Sequence, residues 1–581
     1  MIMKIKKRKK QDIFQLIILL AILLLIIYLS GRVNIRLDLT KEKRYSVSPA
    51  SREILKNLKD VIYIKIYLDG KLSIPYKKFK RNIKDKLNEF KVYGKAHLEY
   101  TFVDPLKDKN LNELKQKGLD IINYSYKNRE GDLTFTTIVP GALISYRGNE
   151  IPVNLLIDNP GLSDEKKINN SLELLEYKFI NTIRKISNDN PENIAFIIGH
   201  GELYGYELED ILQELENLYQ IEFLKISGRA GILDKYNSII IAKPKYKFSE
   251  ADKFVIDQYI MNGGKVLWLI DAVSVSLDSL INGSTFALIN QLNIEDLLFR
   301  YGIRINPVLV KDKVCTILPI NVAPPDQLPA WEPFDWLYFP LLNPSPTHPV
   351  TKYTNYIRSQ FANTIDTLGA RKSVRKTVLL KTSDKNKLVR VPAIIRLDEI
   401  SSKEPASEFD TVAKPVAVLL EGTFESNFKN RSVPDNIESG EKKIIFKGNS
   451  TITKMITVAD GDIIRNDYKM WPGRVQILPL KTDKYIEFIN SYYKKEVLPA
   501  FFDNKAFIID AINYLTNTRG ISELREREYK LRLLNREITG NRKKRLKWQL
   551  INTLVPAFII VVFGILYNYL RKVKYASPTE I

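Results

Sequence analysis

Apolar positions along this chain change period repeatedly, and each change marks an element. VIYIKIYL (61–68), LEYTFVD (98–104) and GALISYRGNEIPVNLLI (141–157) read as strands, the last as a hairpin turning at Arg147-Gly148-Asn149. Between the first two, Phe79, Ile83, Leu87 and Phe90 recur at helical spacing in YKKFKRNIKDKLNEFKVY (76–93). Ser48 is placed to cap a helix from Pro49 to Leu58, and a short helix is expected around Leu111 to Lys117. Strand, helix, strand, helix, hairpin is the order of a thioredoxin-like domain, expected over 44–165, with Val139-Pro140 where that fold carries its proline. No Cys-x-x-Cys accompanies it, so no thiol chemistry is expected there.

After an amphipathic stretch, SLELLEYKFINTIRKISN (171–188), short apolar runs alternate with helical patterns. IAFIIGHGE, IEFLKI, YNSIIIAKP and KVLWLIDAV are the strands. YELEDILQELENLY and FSEADKFVIDQYIMNGG are the helices, the second capped by Ser249 and stopped by Gly263-Gly264. Strand-like segments return at KPVAVLLEG (414–422) and KMITVADGDIIRN (454–466), before the helix NKAFIIDAINYLT (504–516). The expected fold class is therefore α/β, with a doubly wound, mostly parallel sheet over 171–520 interrupted by an insertion at about 278–413.

The insertion holds nine prolines from Pro319 to Pro349, interleaved with aromatic residues. That composition excludes a regular helix or a central strand. It leaves either packing along the domain or display of Trp331, Phe334 and Trp336 to a partner. RSVPDNIESGEKK (431–443) reads as a mobile loop.

Two segments lack charge altogether. Ile13–Ser30 follows a basic tail (1–12) and is read as an uncleaved signal anchor; Leu550–Leu570 is the second span, with Trp548, Tyr567 and Tyr569 near its ends and Pro556 within it. Between the soluble domains and the second span, 521–549 reads as a charged juxtamembrane helix, and 571–581 is a short tail. The net charge of +22 concentrates beside these spans: residues 1–12 carry +5 and 521–581 carry +8. The middle is only mildly basic, which points to a lipid bilayer and away from nucleic acid. Two spans put both termini on one side. The inner flanks are also basic (Arg32, Arg36, Lys41, Lys43 and Arg44), so charge alone is ambiguous. The dense tail before the first span favours cytoplasmic termini and a periplasmic middle, in the inner membrane.

In parallel sheets, ligands bind at the carboxyl ends of strands. Gly199, His200, Gly201, Glu202, Asp271, Glu421, Asp460 and Asp462 all fall at such ends and form the candidate crevice. His200 and Glu202 suit acid–base work, but no Gly-x-Ser-x-Gly elbow occurs, and the single cysteine, Cys315, is not at a core strand end. No catalytic residue, metal or cofactor is assigned. Three histidines and one cysteine leave little material for a metal site, and Asp460 with Asp462 are too few carboxylates to specify one. A retained ligand or partner crevice, plain loop architecture, and a tethered hydrolase or amidotransferase using His200 and Glu202 all remain open.

Several stretches together resemble the gliding-motility-associated ABC transporter accessory protein of Bacteroidetes (GldG type). They are RLDLTKEKRYSVSPASREILKNLKD, IAFIIGHGELYGYELEDI, KPVAVLLEGTFESNFKNR, MITVADGDIIRND, ELREREYKLRLLNREI and RLKWQLINTLVPAFIIVVFGILYNYLRKVKY. The resemblance implies an extracytoplasmic domain related to glutamine amidotransferase-like sheets without their cysteine. It also implies an ABC permease and a separate P-loop ATPase as partners, and a periplasmic partner or cargo; the family is often labelled substrate-binding. The chain has no Gly-x-x-x-x-Gly-Lys-[Ser/Thr] loop of its own. The expected function is a non-catalytic accessory subunit, with a purely structural stalk as the alternative that leaves the crevice empty.

Overall fold

The computed structural model describes residues 14, 17–22, 47–107, 111–127, 132–157, 163–188, 191–367, 373–401, 404–434, 436–437, 445–494, 502–516 and 542–575. It divides into two units, one up to Arg527 and one from Glu528, which are described separately.

The first unit begins with a four-stranded sheet. Its strands are β1 (Ile62–Ile66), β2 (Leu98–Phe102), β5 (Gly141–Tyr146) and β6 (Asn149–Asn154), in the order β2-β1-β5-β6. β1 and β2 run parallel, and β5 is antiparallel to both β1 and β6. The β5–β6 turn places Arg147 and Gly148 at φ 47° and 86°, the two left-handed positions of a hairpin whose twist matches its strands. A further hairpin, β3 (Ile122–Lys127) with β4 (Leu133–Ile138), stands apart from this sheet. Its polar–aromatic alternation was not among the expected elements.

Three helices cover the sheet: α1 (Pro49–Lys56), α2 (Ile74–Gly94) and α4 (Asp164–Ile186), with the short α3 (Leu111–Gln116) alongside. Ser48 caps α1 as expected, accepting from the Ser51 amide at 2.9 Å. Glu176 of α4 accepts from the Ser48 amide and the Ser51 hydroxyl at 2.8 and 2.7 Å, which pins α1 to α4. Leu174, Leu175, Phe179, Ile180 and Ile183 share a core with Phe79, Ile83, Leu87 and Phe90 of α2, so this core extends through α4.

The larger layer is a ten-stranded sheet. Its strands are β7 (Asn193–Ile198), β8 (Gln220–Lys225), β9 (Ser238–Ala242), β10 (Val266–Leu269), β11 (Cys315–Asn321), β12 (Trp331–Pro344), β13 (Val374–Lys381), β14 (Pro415–Gly422) and β15 (Thr453–Val458). They run in the order β11-β12-β13-β14-β15-β10-β9-β7-β8, with Ile357–Arg358 added on β12. Five neighbours, β15, β10, β9, β7 and β8, are parallel. Apart from the terminal Asn193 and Ser238, β7, β9 and β10 are apolar on both faces because helices cover them, including α5 (Glu209–Glu216), α6 (Glu250–Met261) and α7 (Asn504–Thr516). Beyond β15 every pairing is antiparallel.

The insertion at 278–413 departs from expectation. Four of its strands, β11 to β13 and the short Ile357–Arg358, continue the central sheet, and the proline-rich segment itself forms the fourteen-residue β12. Its prolines are tolerated because the pairing makes few demands on them. Pro333 lies opposite Pro319, so neither is asked to donate, and β12 meets β13 only at Asn343 and Pro344. Trp336, Tyr338 and Phe339 point into a local core with Leu309, Phe361 and Ile395.

In the second unit, α8 (Arg542–Tyr575) is a continuous helix running through Pro556. Its segment Leu546–Val573 is long and apolar enough to cross a membrane and is exposed along its whole length. Of the first expected span, Phe14 and residues 17–22 are helical and exposed, and the remainder lies outside the described residues. The tail 1–12, most of the loop 431–443, residues 521–541 of the expected juxtamembrane helix and the tail beyond Tyr575 also lie outside them.

Candidate functional site

The carboxyl ends of the parallel strands gather seven of the eight expected crevice residues along one edge of the sheet. Gly199 and Gly201 sit at φ 119° and 77°, conformations that side-chain-bearing residues resist, and they fold the chain back after β7. The turn is closed by the His200 carbonyl, which accepts from the amides of Lys245 and Tyr246, both at 2.8 Å. That fold-back carries the His200 ring inward, where it stacks on Phe248 at 3.8 Å between ring centres.

Both ring nitrogens are engaged. Nδ1 lies 3.1 Å from Glu202 Oε1 and Nε2 lies 3.2 Å from Asp252 Oδ2. Glu202 also accepts from the His200 amide at 2.7 Å, while Asp252 accepts from Ser249 and from the Gly228 amide. Burial alone would lower the His200 pKa, but the hydrogen bonds to Asp252 and Glu202 outweigh it and raise the pKa to about 9. His200 is thus a buried imidazolium held between two carboxylates. Among the described residues no hydroxyl or thiol hydrogen-bonds to its ring.

A second cluster lies at the ends of β9, β10 and β15. Lys243 pairs with Asp271 at 2.8 Å and with Asp462, and Asp271 accepts from the Gly461 amide at 2.5 Å. Asp460 is fully buried and accepts from the amides of Gln360 and Asp462 at 2.8 and 2.7 Å. Burial, then the neighbouring Asp462 and Asp271, push its carboxyl well above the usual range. Asp462 goes the other way: burial opposes its charge, but Arg465 and Lys243 hold it below the usual range. A further pair of carboxylates, Asp467 and Asp483, surrounds the buried Arg358 at 3.3 and 3.0 Å. The polar groups at this edge are therefore occupied by one another. Among the described residues no group of three or more His, Cys, Asp or Glu is arranged to hold a metal ion.

Glu421 does not belong to this edge. β14 runs antiparallel to β15, pairing Ala417 with Val458 and Glu421 with Lys454. Four residues at about 3.3 Å each place Glu421 roughly 13 Å along the strand from the Val458 level, toward the amino ends of the parallel strands. There it accepts from the Tyr514 hydroxyl at 2.6 Å and pairs with Arg375. The expectation treated every strand end as a carboxyl-end loop of a parallel sheet, and one reversed strand moves the residue to the other side. Of the aromatic residues expected on a partner surface, Trp336 is 2% exposed and belongs to the insertion's core. Trp331 and Phe334 are half-buried, Trp331 against Phe488 at 5.2 Å.

Lys243 and Asp252 were not among the expected residues, though each holds its cluster together. A lysine immediately after the apolar run IIIA was a usable signal, because such a position is seldom left to a cation without a partner. Asp252 gave none, since its spacing from His200 carries no periodicity.

Comparison with known proteins gives the chain a family. A family model described as an ABC-type uncharacterized transport system matches residues 191–500. That is more than half of the chain, and the protein belongs to this family of auxiliary components of ABC-type transport systems. Residues 41–145 match a separate domain of unknown function. An uncharacterized protein of Borreliella burgdorferi (strain ATCC 35210 / DSM 4680 / CIP 102532 / B31) is similar at 23% identity over 461 residues, covering 77% of this chain and 83% of its own. Among solved structures, the mmIFT52 N-terminal domain aligns over 57% of this chain and 99% of its own, at 14% identity and a TM-score of 0.30.

Proposed function

We propose that this chain is a non-catalytic, membrane-anchored accessory subunit of an ABC transporter, working beside a permease and a separate P-loop ATPase. The family match over the large sheet carries the reading. The apolar helix Leu546–Val573 is consistent with it, supplying a segment suited to a bilayer. The non-catalytic part is supported by the carboxyl-end edge, where His200 has both nitrogens committed to carboxylates and Lys243 fills the space between Asp271 and Asp462.

The finer reading is a two-pass protein with both termini cytoplasmic, whose large domains lie in the periplasm and receive cargo or a partner. Within it, the strand order β2-β1-β5-β6 supports a thioredoxin-like first module without thiol chemistry. The five parallel strands with a Gly-His-Gly turn after β7 support an amidotransferase-like second one. Affinity purification of the tagged full-length protein from native membranes in mild detergent tests the reading. A multispanning permease and a P-loop ATPase in fixed proportion are expected, and their reproducible absence beside intact protein would overturn it.

A further inference from the structure

At the carboxyl edge of the large sheet, charge is sorted by depth. The carboxylates Glu202, Asp271, Asp460, Asp462 and Asp467 turn inward and are bonded to internal partners. Apart from Lys243, Arg358 and Arg465, which pair with those carboxylates, the cations turn outward: Lys225, Lys245, Lys247, Lys469 and Arg474 are exposed, and none has a carboxylate partner among the described residues. Aromatic and apolar side chains stand among them. Tyr204 and Tyr246 are 62% and 67% exposed, and Met470 and Trp471 reach 68% and 60% on the hairpin Tyr468–Trp471/Arg474–Ile477.

These loops form one face. Lys225 packs at Gly199, and Tyr246 lies over Gly201. Tyr206 approaches Tyr468 at 5.9 Å between ring centres. The hairpin is tied to the loop after β7 by Asn466, which donates its amide to Glu207 O at 2.9 Å and accepts from the Asp210 amide at 3.1 Å. Among the described residues the hairpin pairs with no other strand, and a two-stranded ribbon that leaves its apolar residues in water has little to stabilise it alone.

We propose that this face docks an acidic segment of a partner polypeptide, an inference that rests on the accessory-subunit reading. Exposed Tyr, Trp and Arg are the residues from which protein interfaces draw most of their energy, and unpaired cations around them select a negative partner. The hairpin's geometry disfavours a bilayer as the occupant. Met470 and Trp471 are adjacent in a strand and so point to opposite faces, which suits a broad contact and makes a poor insertion wedge.

The test is photo-cross-linking in native membranes, with a benzophenone amino acid replacing Met470 in the full-length protein and Gln476 as a second site. The attachment point is then sequenced. The expected result is a polypeptide adduct on a segment of net negative charge. It should fall at least about tenfold when Lys469→Glu and Arg474→Glu are combined, and fall as ionic strength rises. Adducts on lipid alone, adducts on a neutral or basic segment, insensitivity to charge reversal, or no adduct at either site would each overturn the proposal. Co-purification of permease and ATPase with the unaltered protein is scored separately, so a failed docking face is distinguishable from a failed subunit assignment.

Discussion

The Lys243 ammonium lies 2.8 Å from the Asp271 carboxylate and reaches Asp462 on its other side, joining the ends of three parallel strands. Burial works against its charge, but the two aspartates raise its pKa above the ordinary lysine value. Replacing it by methionine keeps the stem and removes the charge, leaving Asp271 without its cation and Asp462 with Arg465 alone. Lys243→Met is expected to cost about 3–5 kcal/mol, the usual penalty for breaking a buried pair from one side. Removing the cation makes negative charge at this buried edge more costly, and protonation relieves that cost, so the loss should shrink as pH falls from 7.5 toward 5. Thermal unfolding of both proteins across that range checks it. A gap that widens on acidification would contradict the assignment.

His200 gives a second pH signature of opposite origin. Its pKa is raised to about 9 from an ordinary 6.5, so its contribution is fully present below about pH 6.5 and is lost as pH rises through 9. Removing the imidazolium with His200→Gln should cost on the order of 3 kcal/mol at pH 6.5 and much less at pH 9.5. Unfolding of the two proteins at the two pH values reads this directly. If His200 is structural, loss of transport function in the variant should track loss of folded protein. Lost function at full protein level would instead restore the catalytic alternative.

Much of the fold was legible because its signals are local. Ser48 and Ser249 cap the helices they precede, Arg147-Gly148 turns its hairpin, and the apolar runs from β7 to β10 are the strands they suggest. What was not legible depends on partners distant in sequence. Strand direction has no local signature, so Glu421 seemed to share an edge with Asp460 when β14 in fact runs the other way. Proline counts argue against strands only where an amide must donate, and at Pro333 opposite Pro319 none must. His200 could be named from its turn, but Asp252, which fixes its charge state, comes from a helix whose placement only tertiary packing decides.

Two glycines separate backbone strain from steric collision. At Gly201, φ is 77° and an added Cβ would approach the ring of Tyr246 at 2.8 Å, an exposed side chain able to swing aside. At Gly422, φ is 144° and the same atom would fall 1.9 Å from the Ser373 carbonyl oxygen, in the backbone of the neighbouring segment. Gly201→Ala should therefore cost about 1–2 kcal/mol, and Gly422→Ala at least about 3 kcal/mol, with separation of β13 from β14 at that end. Denaturant midpoints of the two variants rank them, and equal midpoints would mean that the sheet edge yields more easily than its pairing implies.

Anchoring can be divided between the two ends. Leu546–Val573 is apolar, exposed and 28 residues long, about 42 Å at 1.5 Å per residue, which exceeds a hydrocarbon core of about 30 Å. Ile13–Ser30 has eighteen uncharged residues, about 27 Å, near the lower limit for a span. If both cross the bilayer, removing residues 542–581 should leave the protein in the membrane pellet after alkaline carbonate extraction, held by the first segment. Removing residues 1–30 should leave it there through the second, and only the double deletion should release it to the supernatant. Release by the first deletion alone would reduce the protein to a single C-terminal anchor. Both termini would then no longer need to share a side, and with them would go the argument that places the large domains in the periplasm.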